Sequence, residues 1–485
     1  MTFVMSDLRL LMPHMIITAA ALLILLLEAF GGKGKSKNHL VFVGLLGIAG
    51  AAFTTPALFG AQVLGFSGML AGDGFAAFCY FVLYVVGALT LLVSPGYLQD
   101  EECDHGEYYA LVLLALVGMM LMAGATHLLV MFLALETMSI AIYALAGYLR
   151  TGKSAESSFK YFILGAFASG FLLYGIALIY GAVGSTQLQA ITAHFAAVQG
   201  LSGSPLALIG VGLIAVGFLF KVAAVPFHVW TPDVYQGAPT SVTAFMATGV
   251  KAAAFAAFIR VFLTAFPAMH GTTSSALWLL AVLTMTMGNF AALVQNDVKR
   301  MLAYSSIAHA GYLLVGIVVG TAEAGAGMLY YLLSYAFMNI GAFACLIMVG
   351  RKGQDNTEFE ALSGLGFKYP GLGLALSLFM FSMAGIPPTA GFIGKFLIFK
   401  AAVHEGYYWL TILGVLNSAA SVYFYLRVIV TLYFKPEPET ALVEKLRVGP
   451  AAIVGTACAG IAVLYLGIIP GSVVELATAA MKALI

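Results

Sequence analysis

The chain has 485 residues, 62% of them hydrophobic and only 9% charged; soluble globular domains carry about 25% charge, so a water-soluble globule is excluded and a polytopic membrane protein is required. Its 22 basic and 21 acidic residues leave a formal net charge of +1, which offers no basic surface and excludes nucleic acid as a partner. Cys79, Cys103, Cys345 and Cys458 are scattered, the histidines show no haem-holding pairing, and no glycine-rich nucleotide loop occurs, so no disulfide framework, metal site or cofactor is expected on the chain.

At about 20 apolar residues per span, the sequence predicts an all-α fold of about 14 transmembrane helices. They lie near 10–30, 40–60, 73–94, 107–123, 126–148, 156–182, 205–230, 240–265, 275–295, 300–319, 326–350, 371–401, 407–434 and 449–468. The first run is too long for a signal-peptide core and lacks a small-residue cleavage site, so it is read as a span. Helix 5 carries Glu136 near its middle, on one face with Ser139 and Tyr143. A lone carboxylate there neutralises itself or finds a buried cation, and Lys221 is the expected partner.

Lys160 lies about a turn and a half inside helix 6. It either snorkels to the interface or takes up protons there. Helix 7 runs through FLFKVAAVPFHVWTPDVYQGAPTSV, where Lys221 is followed by the break at Pro226. The charge costs roughly 2.5 to 3.5 kcal/mol on insertion scales, and the proline removes a backbone donor that lipid cannot replace. Such a stretch is expected to line an interior polar path.

Lys251 sits near the centre of helix 8, with Thr248 as the polar neighbour on its face. Arg260 and Arg427 stay charged at any attainable pH, so they are expected to anchor structure more than relay protons. Helix 10 aligns Ser305, His309 and Tyr312 on one face, between the two lysine groups, which makes His309 a candidate relay or a helix-packing hydrogen bonder. Helix 12 breaks at Pro387 and Pro388 and carries Lys395 in its second half.

Thirteen Lys and Arg residues fall in loops after odd-numbered helices, and only Arg9, Lys400 and Lys482 on the opposite side. The positive-inside rule then places both termini outside the cytoplasm.

Phe220–Pro226 can be laid over Phe381–Pro387 at an offset of 161 residues, Ile259–Val261 over Leu426–Val428 at 167, and Gly165–Phe167 over Tyr335–Phe337 at 170. Helices 4 to 8 and 9 to 13 therefore read as two inverted five-helix repeats, the arrangement of transporters with paired broken helices. The expected division is residues 1–104 for helices 1 to 3, 105–268 and 269–434 for the repeats, and 435–485 for helix 14 and the tail. At the repeat positions of Lys221 and Lys251 stand Ser382 and Ser418.

The wording VWTPDVYQGAP, with ALETMSI around Glu136, VKRMLAYSSIAHAGY at 298–312 and AGIPPTAGFIGKF at 384–396, resembles the antiporter-like membrane subunits of proton-translocating NADH:quinone oxidoreductase, respiratory complex I. The resemblance covers essentially the whole chain. It implies one proton channel, with an ion pair of Glu136 and Lys221, a connecting site at Lys251 and a terminal site at Lys395; Lys160 matches the family's additional helix 6 lysine. Lysine at the helix 12 site resembles the N-type branch, whereas the M-type carries glutamate there. The end at Ile485 is read as leaving no room for the long lateral helix of the L-type.

The resemblance further implies that NADH, FMN, iron–sulfur clusters and quinone belong to other subunits. It also implies partnership with a neighbouring antiporter-like subunit, small membrane subunits and the bilayer, in a bacterial inner membrane. Two rival readings share the charge pattern, a Mrp-type cation/proton antiporter subunit and a non-pumping scaffold.

Overall fold

The computed structural model describes residues 5–31, 37–59, 63–197, 204–267, 270–350, 352–353, 355–437, 443, 446–447 and 449–485. Lys33, Lys35, Arg351 and Lys445 of the loop tally, and the repeat boundary expected at 268–269, lie outside them.

Asp73, Thr151, Ser204, Asp297 and Thr321 each accept a hydrogen bond from the backbone N–H three residues ahead. These caps satisfy donors that a helix start would otherwise leave orphaned in or near lipid. In chain order the elements begin with α1 (Met5–Ala29), α2 (Asn38–Thr54), the antiparallel strands β1 (Val63–Gly65) and β2 (Leu70–Gly72), α3 (Gly74–Asp100), α4 (Gly106–Gly124) and α5 (Leu128–Ala146). Next come α6 (Gly152–Val183), α7 (Leu188–Ala197), α8 (Pro205–Lys221), α9 (Trp230–Gly237) and α10 (Thr240–Ala265). The rest are α11 (His270–Leu293), α12 (Val298–Val319), α13 (Ala322–Val349), α14 (Pro370–Ala384), α15 (Ala390–His404), α16 (Tyr408–Phe434), α17 (Pro450–Ile468) and α18 (Gly471–Leu484).

Among the described residues, twelve helices are long and apolar enough to cross a membrane, and α8 and α14 are shorter apolar helices. The chain is therefore a multi-pass, predominantly helical membrane protein. Only 33–39% of the most apolar stretch is buried in α1, α2, α6, α11, α16 and α17, against 100% in α10, 94% in α12 and 89% in α13. The first set faces lipid along one side, as Phe159, Phe167, Phe290, Trp409 and Ile461 show by their exposure. The second set is the interior, and any polar group on it must find its partner within the protein.

Both expected breaks are present. Helix α8 stops at Lys221, residues 222–229 are non-helical, and α9 resumes at Trp230. The backbone groups released there are met inside the protein: Trp230 Nε1 donates to the Phe220 carbonyl at 3.1 Å, and Thr284 Oγ1 accepts from the Val225 N–H at 3.0 Å. In the second break, Gly385 adopts a left-handed φ of 85° after α14, a conformation that costs glycine nothing. Gly391, opening α15, approaches the first half so closely that a Cβ would stand 1.9 Å from the Ser382 carbonyl.

Helix α10 contains π-helical turns at Met246–Val250 and Val261–Ala265, on either side of Lys251–Arg260. Such turns occur preferentially at functional sites. The hairpin β1–β2, the short α7 and the terminal α18 were not foreseen from the sequence. Helix α18 lies on the ends of α3 and α13, with Ala480 against Gly74 and Met481 against Gly325.

Candidate functional site

Lys221, Lys251 and Lys395 are buried, with relative exposures of 3%, 2% and 5%, and His309 is fully buried. Each lysine is carried by a helix that ends, unwinds or breaks beside it, which brings charge and free backbone together in the interior.

Lys221 closes α8. Its ammonium donates to Ser139 Oγ on α5 at 2.8 Å and faces the rings of Tyr143 at 5.6 Å and Tyr161 at 5.4 Å. Glu136 is half-buried on α5 and accepts a hydrogen bond from the Ser169 hydroxyl on α6 at 2.5 Å. The expected direct contact of Glu136 with Lys221 is absent from the ion pairs of the described residues. Position 139, one turn beyond the carboxylate, meets the lysine instead, while Glu136 turns toward α6.

Lys251 donates to Ser306 on α12, to its Oγ at 2.5 Å and also to its carbonyl, and lies 5.3 Å from the centre of the Tyr335 ring. Thr248, the neighbour expected on its face, is occupied with the Ala244 carbonyl at 2.8 Å. Lys395 reaches back across the second break. It donates to the Met383 carbonyl at 2.9 Å, the Ala384 carbonyl at 3.1 Å and Ser418 Oγ at 2.9 Å, with the Tyr312 ring at 4.9 Å. The two carbonyls belong to the last turn of α14, the negative end of that half-helix, where a cation is favoured.

Helix α12 links these last two lysines. Ser306 holds Lys251, and the adjacent Ser305 hydrogen-bonds the Tyr425 hydroxyl at 2.5 Å. Tyr425 in turn bonds His309 Nε2 at 2.9 Å, and His309 Nδ1 bonds Tyr331. The His309 ring meets Tyr312 edge-on at 5.7 Å, and Tyr312 lies over Lys395. Hydroxyl and imidazole groups, each able to give and accept a proton, thus line the interior between Lys251 and Lys395: Ser305, Tyr425, His309 and Tyr331 are hydrogen-bonded in series, and ring contacts alone join His309 to Tyr312 and Tyr312 to Lys395.

Lys160 stands apart from this row. It is 39% exposed and forms ion pairs with Glu156 at 2.7 Å and Asp233 at 2.8 Å. Asp233 also takes Arg300 at 2.9 Å, so the network ties α6 to α9 and α12 beside the first break. Arg260 is gripped by Asp73 through both terminal nitrogens, at 2.8 and 2.9 Å, and Arg427 donates to the Gln295 carbonyl at 2.8 Å. Both arginines have structural partners, in keeping with anchoring.

The one grouping of metal-ligand type among the described residues is Glu28, His105 and Glu107. Glu28 is already ion-paired with the buried Lys37 at 2.9 Å.

Ser169, Ser306, Tyr331, Tyr425 and Asp73 were missed as partners by reading the sequence. Ser306 is the chain neighbour of Ser305, but on a helix buried on all sides periodicity gives no preferred face. Asp73 lies 187 residues from Arg260 in the chain, so no local spacing pairs them.

Residues 125–421 match the family model described as NADH:quinone oxidoreductase/Mrp antiporter, TM. The chain is 52% identical over 477 residues to NADH-quinone oxidoreductase subunit N of Trichlorobacter lovleyi, covering 98% of this chain and 97% of that one. It is 43% identical to the subunit N of Myxococcus xanthus, over 97% and 96% of the two chains. Among solved structures, a chain of respiratory complex I from Thermus thermophilus superposes with a TM-score of 0.80 at 39% identity, covering 96% of this chain and 99% of that one. A chain of the Mrp complex from Dietzia sp. DQ12-45-1b gives 0.84 at 20% identity, over 98% and 97%, which is a likeness of fold alone.

Proposed function

Because this chain belongs to the NADH:quinone oxidoreductase/Mrp antiporter family of transmembrane proteins, with the subunit N relatives, we propose that it is the membrane subunit in which complex I moves protons. In this reading Glu136, Lys221, Lys251 and Lys395 form a relay coupled to quinone reduction in other subunits. His309 connects Lys251 to Lys395, and Lys160 with Asp233 and Arg300 guards the cytoplasmic mouth of the first break.

The observation that carries the reading is the chemistry around Lys221, Lys251 and Lys395. Each ammonium is held only by neutral groups: serine hydroxyls, backbone carbonyls and aromatic faces. A lysine locked to a carboxylate keeps its charge, whereas one held by neutral partners can release a proton without abandoning an ion pair. Three such groups in one interior, with Ser305, Tyr425, His309 and Tyr312 lying between two of them, suit transfer better than cohesion, because unpaired buried charge is costly.

In the proposed setting the chain sits in a bacterial inner membrane with both termini on the periplasmic side. It contacts a neighbouring antiporter-like subunit and the small membrane subunits, and NADH, FMN, iron–sulfur clusters and quinone are bound elsewhere in the assembly. The subunit N relatives favour this over a Mrp-type antiporter, whose complex shares the fold at lower identity. The test is Lys221→Ala and Lys395→Ala in the assembled complex in inverted membrane vesicles. Each is expected to lower the number of protons moved per electron, and an unchanged ratio in both overturns the reading.

A further inference from the structure

Lys221, Lys251 and Lys395, the three buried lysines without a carboxylate partner among the described residues, all end on a serine, and in each case the serine comes from a different helix. Lys221 of α8 meets Ser139 of α5 at 2.8 Å, Lys251 of α10 meets Ser306 of α12 at 2.5 Å, and Lys395 of α15 meets Ser418 of α16 at 2.9 Å. Three helix pairs have converged on the same partner type, although carboxylates, amides and carbonyls are all available to the chain.

We propose that Ser139, Ser306 and Ser418 are positioning residues that hold each lysine in both of its charge states by reversing the direction of one hydrogen bond. The proposal rests on the relay reading above.

The chemistry follows from what each group can offer. An ammonium only donates; a neutral amine has a lone pair that needs a donor. The remaining contacts of these lysines cannot supply one. Around Lys251 they are the Ser306 carbonyl and the Tyr335 ring, and around Lys395 the Met383 and Ala384 carbonyls and the Tyr312 ring. Around Lys221 they are the rings of Tyr143, Tyr161 and Phe220.

A serine hydroxyl accepts from the ammonium and, by rotating about its Cβ–Oγ bond, donates to the amine. The lysine–serine hydrogen bond persists and no buried polar atom is orphaned as the proton leaves, so both states stay accessible. Ser139 shows the accepting state, with its own proton on the Leu135 carbonyl at 2.6 Å. That carbonyl belongs to the serine's own helix, at i−4, where the backbone N–H of position 139 remains its partner when the hydroxyl turns away.

The titratable groups facing the three lysines are Tyr143, Tyr161 and the Glu136 carboxyl one turn from Ser139, then Tyr335 with His309 beside it, then Tyr312. None is a carboxylate in direct contact with an ammonium. A neutral, reversible partner is what remains in common.

The experiment compares Ser306→Ala, Ser306→Thr, Ser418→Ala and Ser418→Thr in the assembled complex in inverted vesicles, with proton movement per electron normalised to assembled complex. Ser418 is half-buried on α16, so its variants report even where the fully buried Ser306 position disturbs assembly. Alanine is expected to lower proton movement by about tenfold, the scale of one lost hydrogen bond to a charged group. Threonine, which keeps the hydroxyl, is expected to restore it. Alanine variants that reduce only the yield of complex, with native proton movement per electron, overturn the proposal. Lys251→Ala in the same background separates the two levels: if it pumps normally the relay reading itself fails, and if it stops while Ser306→Ala and Ser418→Ala pump normally only the serine assignment fails.

Discussion

The Lys221 ammonium reaches the helix of Glu136 one turn beyond the carboxylate, at Ser139 Oγ, while Glu136 holds the Ser169 hydroxyl at 2.5 Å. The acid and the base therefore act on each other across a serine, through their fields and not through a direct contact. Glu136→Gln keeps a hydrogen-bond acceptor for Ser169 and removes only the charge. It is expected to leave the complex assembled and to lower proton movement by about tenfold, one such step corresponding to ~1.4 kcal/mol of barrier. Proton release per electron in vesicles measures this, and native pumping would show that the carboxylate charge is not used.

The sequence showed where charge had to be buried but not what would receive it. Lys221, Lys251 and Lys395 stand out because lysine in an apolar span is expensive, and both proline breaks are visible as interruptions of otherwise continuous hydrophobicity. Their partners are serines, tyrosines and carbonyls from other helices. Those residues are common in spans and carry no cost that would mark them. Helix α18 escaped notice because its 14 residues are too few to cross a bilayer and its buried face is made of Ala477, Ala480 and Met481.

Arg260 on α10 and Asp73 at the start of α3 form a buried, two-pronged pair at 2.8 and 2.9 Å, and Arg260 Nε also donates to the Ala123 carbonyl at 2.9 Å. Removing one partner strands the other in a low-dielectric interior. Asp73→Asn or Arg260→Leu is expected to destabilise the subunit by about 3 to 5 kcal/mol. Arg260→Lys cannot restore the fork geometry and should rescue little. Thermal unfolding of the solubilised complex, followed by loss of this subunit, reads the effect.

Asp355 lies in the loop after α13 and joins the Lys299 ammonium at 2.9 Å and the Thr240 hydroxyl at 3.0 Å. Burial alone would raise its carboxyl, but Lys299, aided by Thr240 and Tyr97, outweighs burial and holds it below the ordinary 3.8. A carboxylate lowered on folding contributes stability that is complete above its unfolded value and is lost as pH falls through its folded value. The clamp is therefore fully charged between about pH 6 and 8. Asp355→Asn should lower thermal stability by the same amount at both ends of that window, with the difference fading only below the ordinary aspartate range. A difference that changes between those two pH values would contradict this assignment.

Gly391 allows the two halves of the second broken helix to meet, since a Cβ there would stand 1.9 Å from the Ser382 carbonyl. Its N–H also donates to Ser382 Oγ at 3.1 Å. Gly391→Ala forces α14 and α15 apart, at a cost of about 1 to 3 kcal/mol for overpacking. Because Lys395 spans the same break to Met383 and Ala384, the displacement should also weaken pumping in whatever complex assembles. Wild-type stability and pumping together would show that the break yields more easily than its contacts imply.

His309 occupies both ring nitrogens with tyrosine hydroxyls, Tyr331 at Nδ1 and Tyr425 at Nε2. A neutral imidazole donates from one nitrogen and accepts at the other, so exchanging those roles passes one proton along, provided the receiving tyrosine hands its own proton onward and the giving tyrosine is refilled from its other side. Ser305, bonded to Tyr425, is the chain neighbour of Ser306 at Lys251, and Tyr312 lies in ring contact with both His309 and Lys395. His309→Gln offers one donor end and one acceptor end but cannot trade them. It is expected to keep thermal stability within about 1 kcal/mol while lowering proton movement by about tenfold. His309→Phe leaves the Tyr331 hydroxyl without its partner and deprives Tyr425 of one, so it should lose stability as well, by about 1 to 3 kcal/mol. Measuring unfolding and pumping on both variants separates a packing histidine from a relaying one. If Gln pumps normally and only Phe is impaired, His309 holds helices together and protons pass elsewhere.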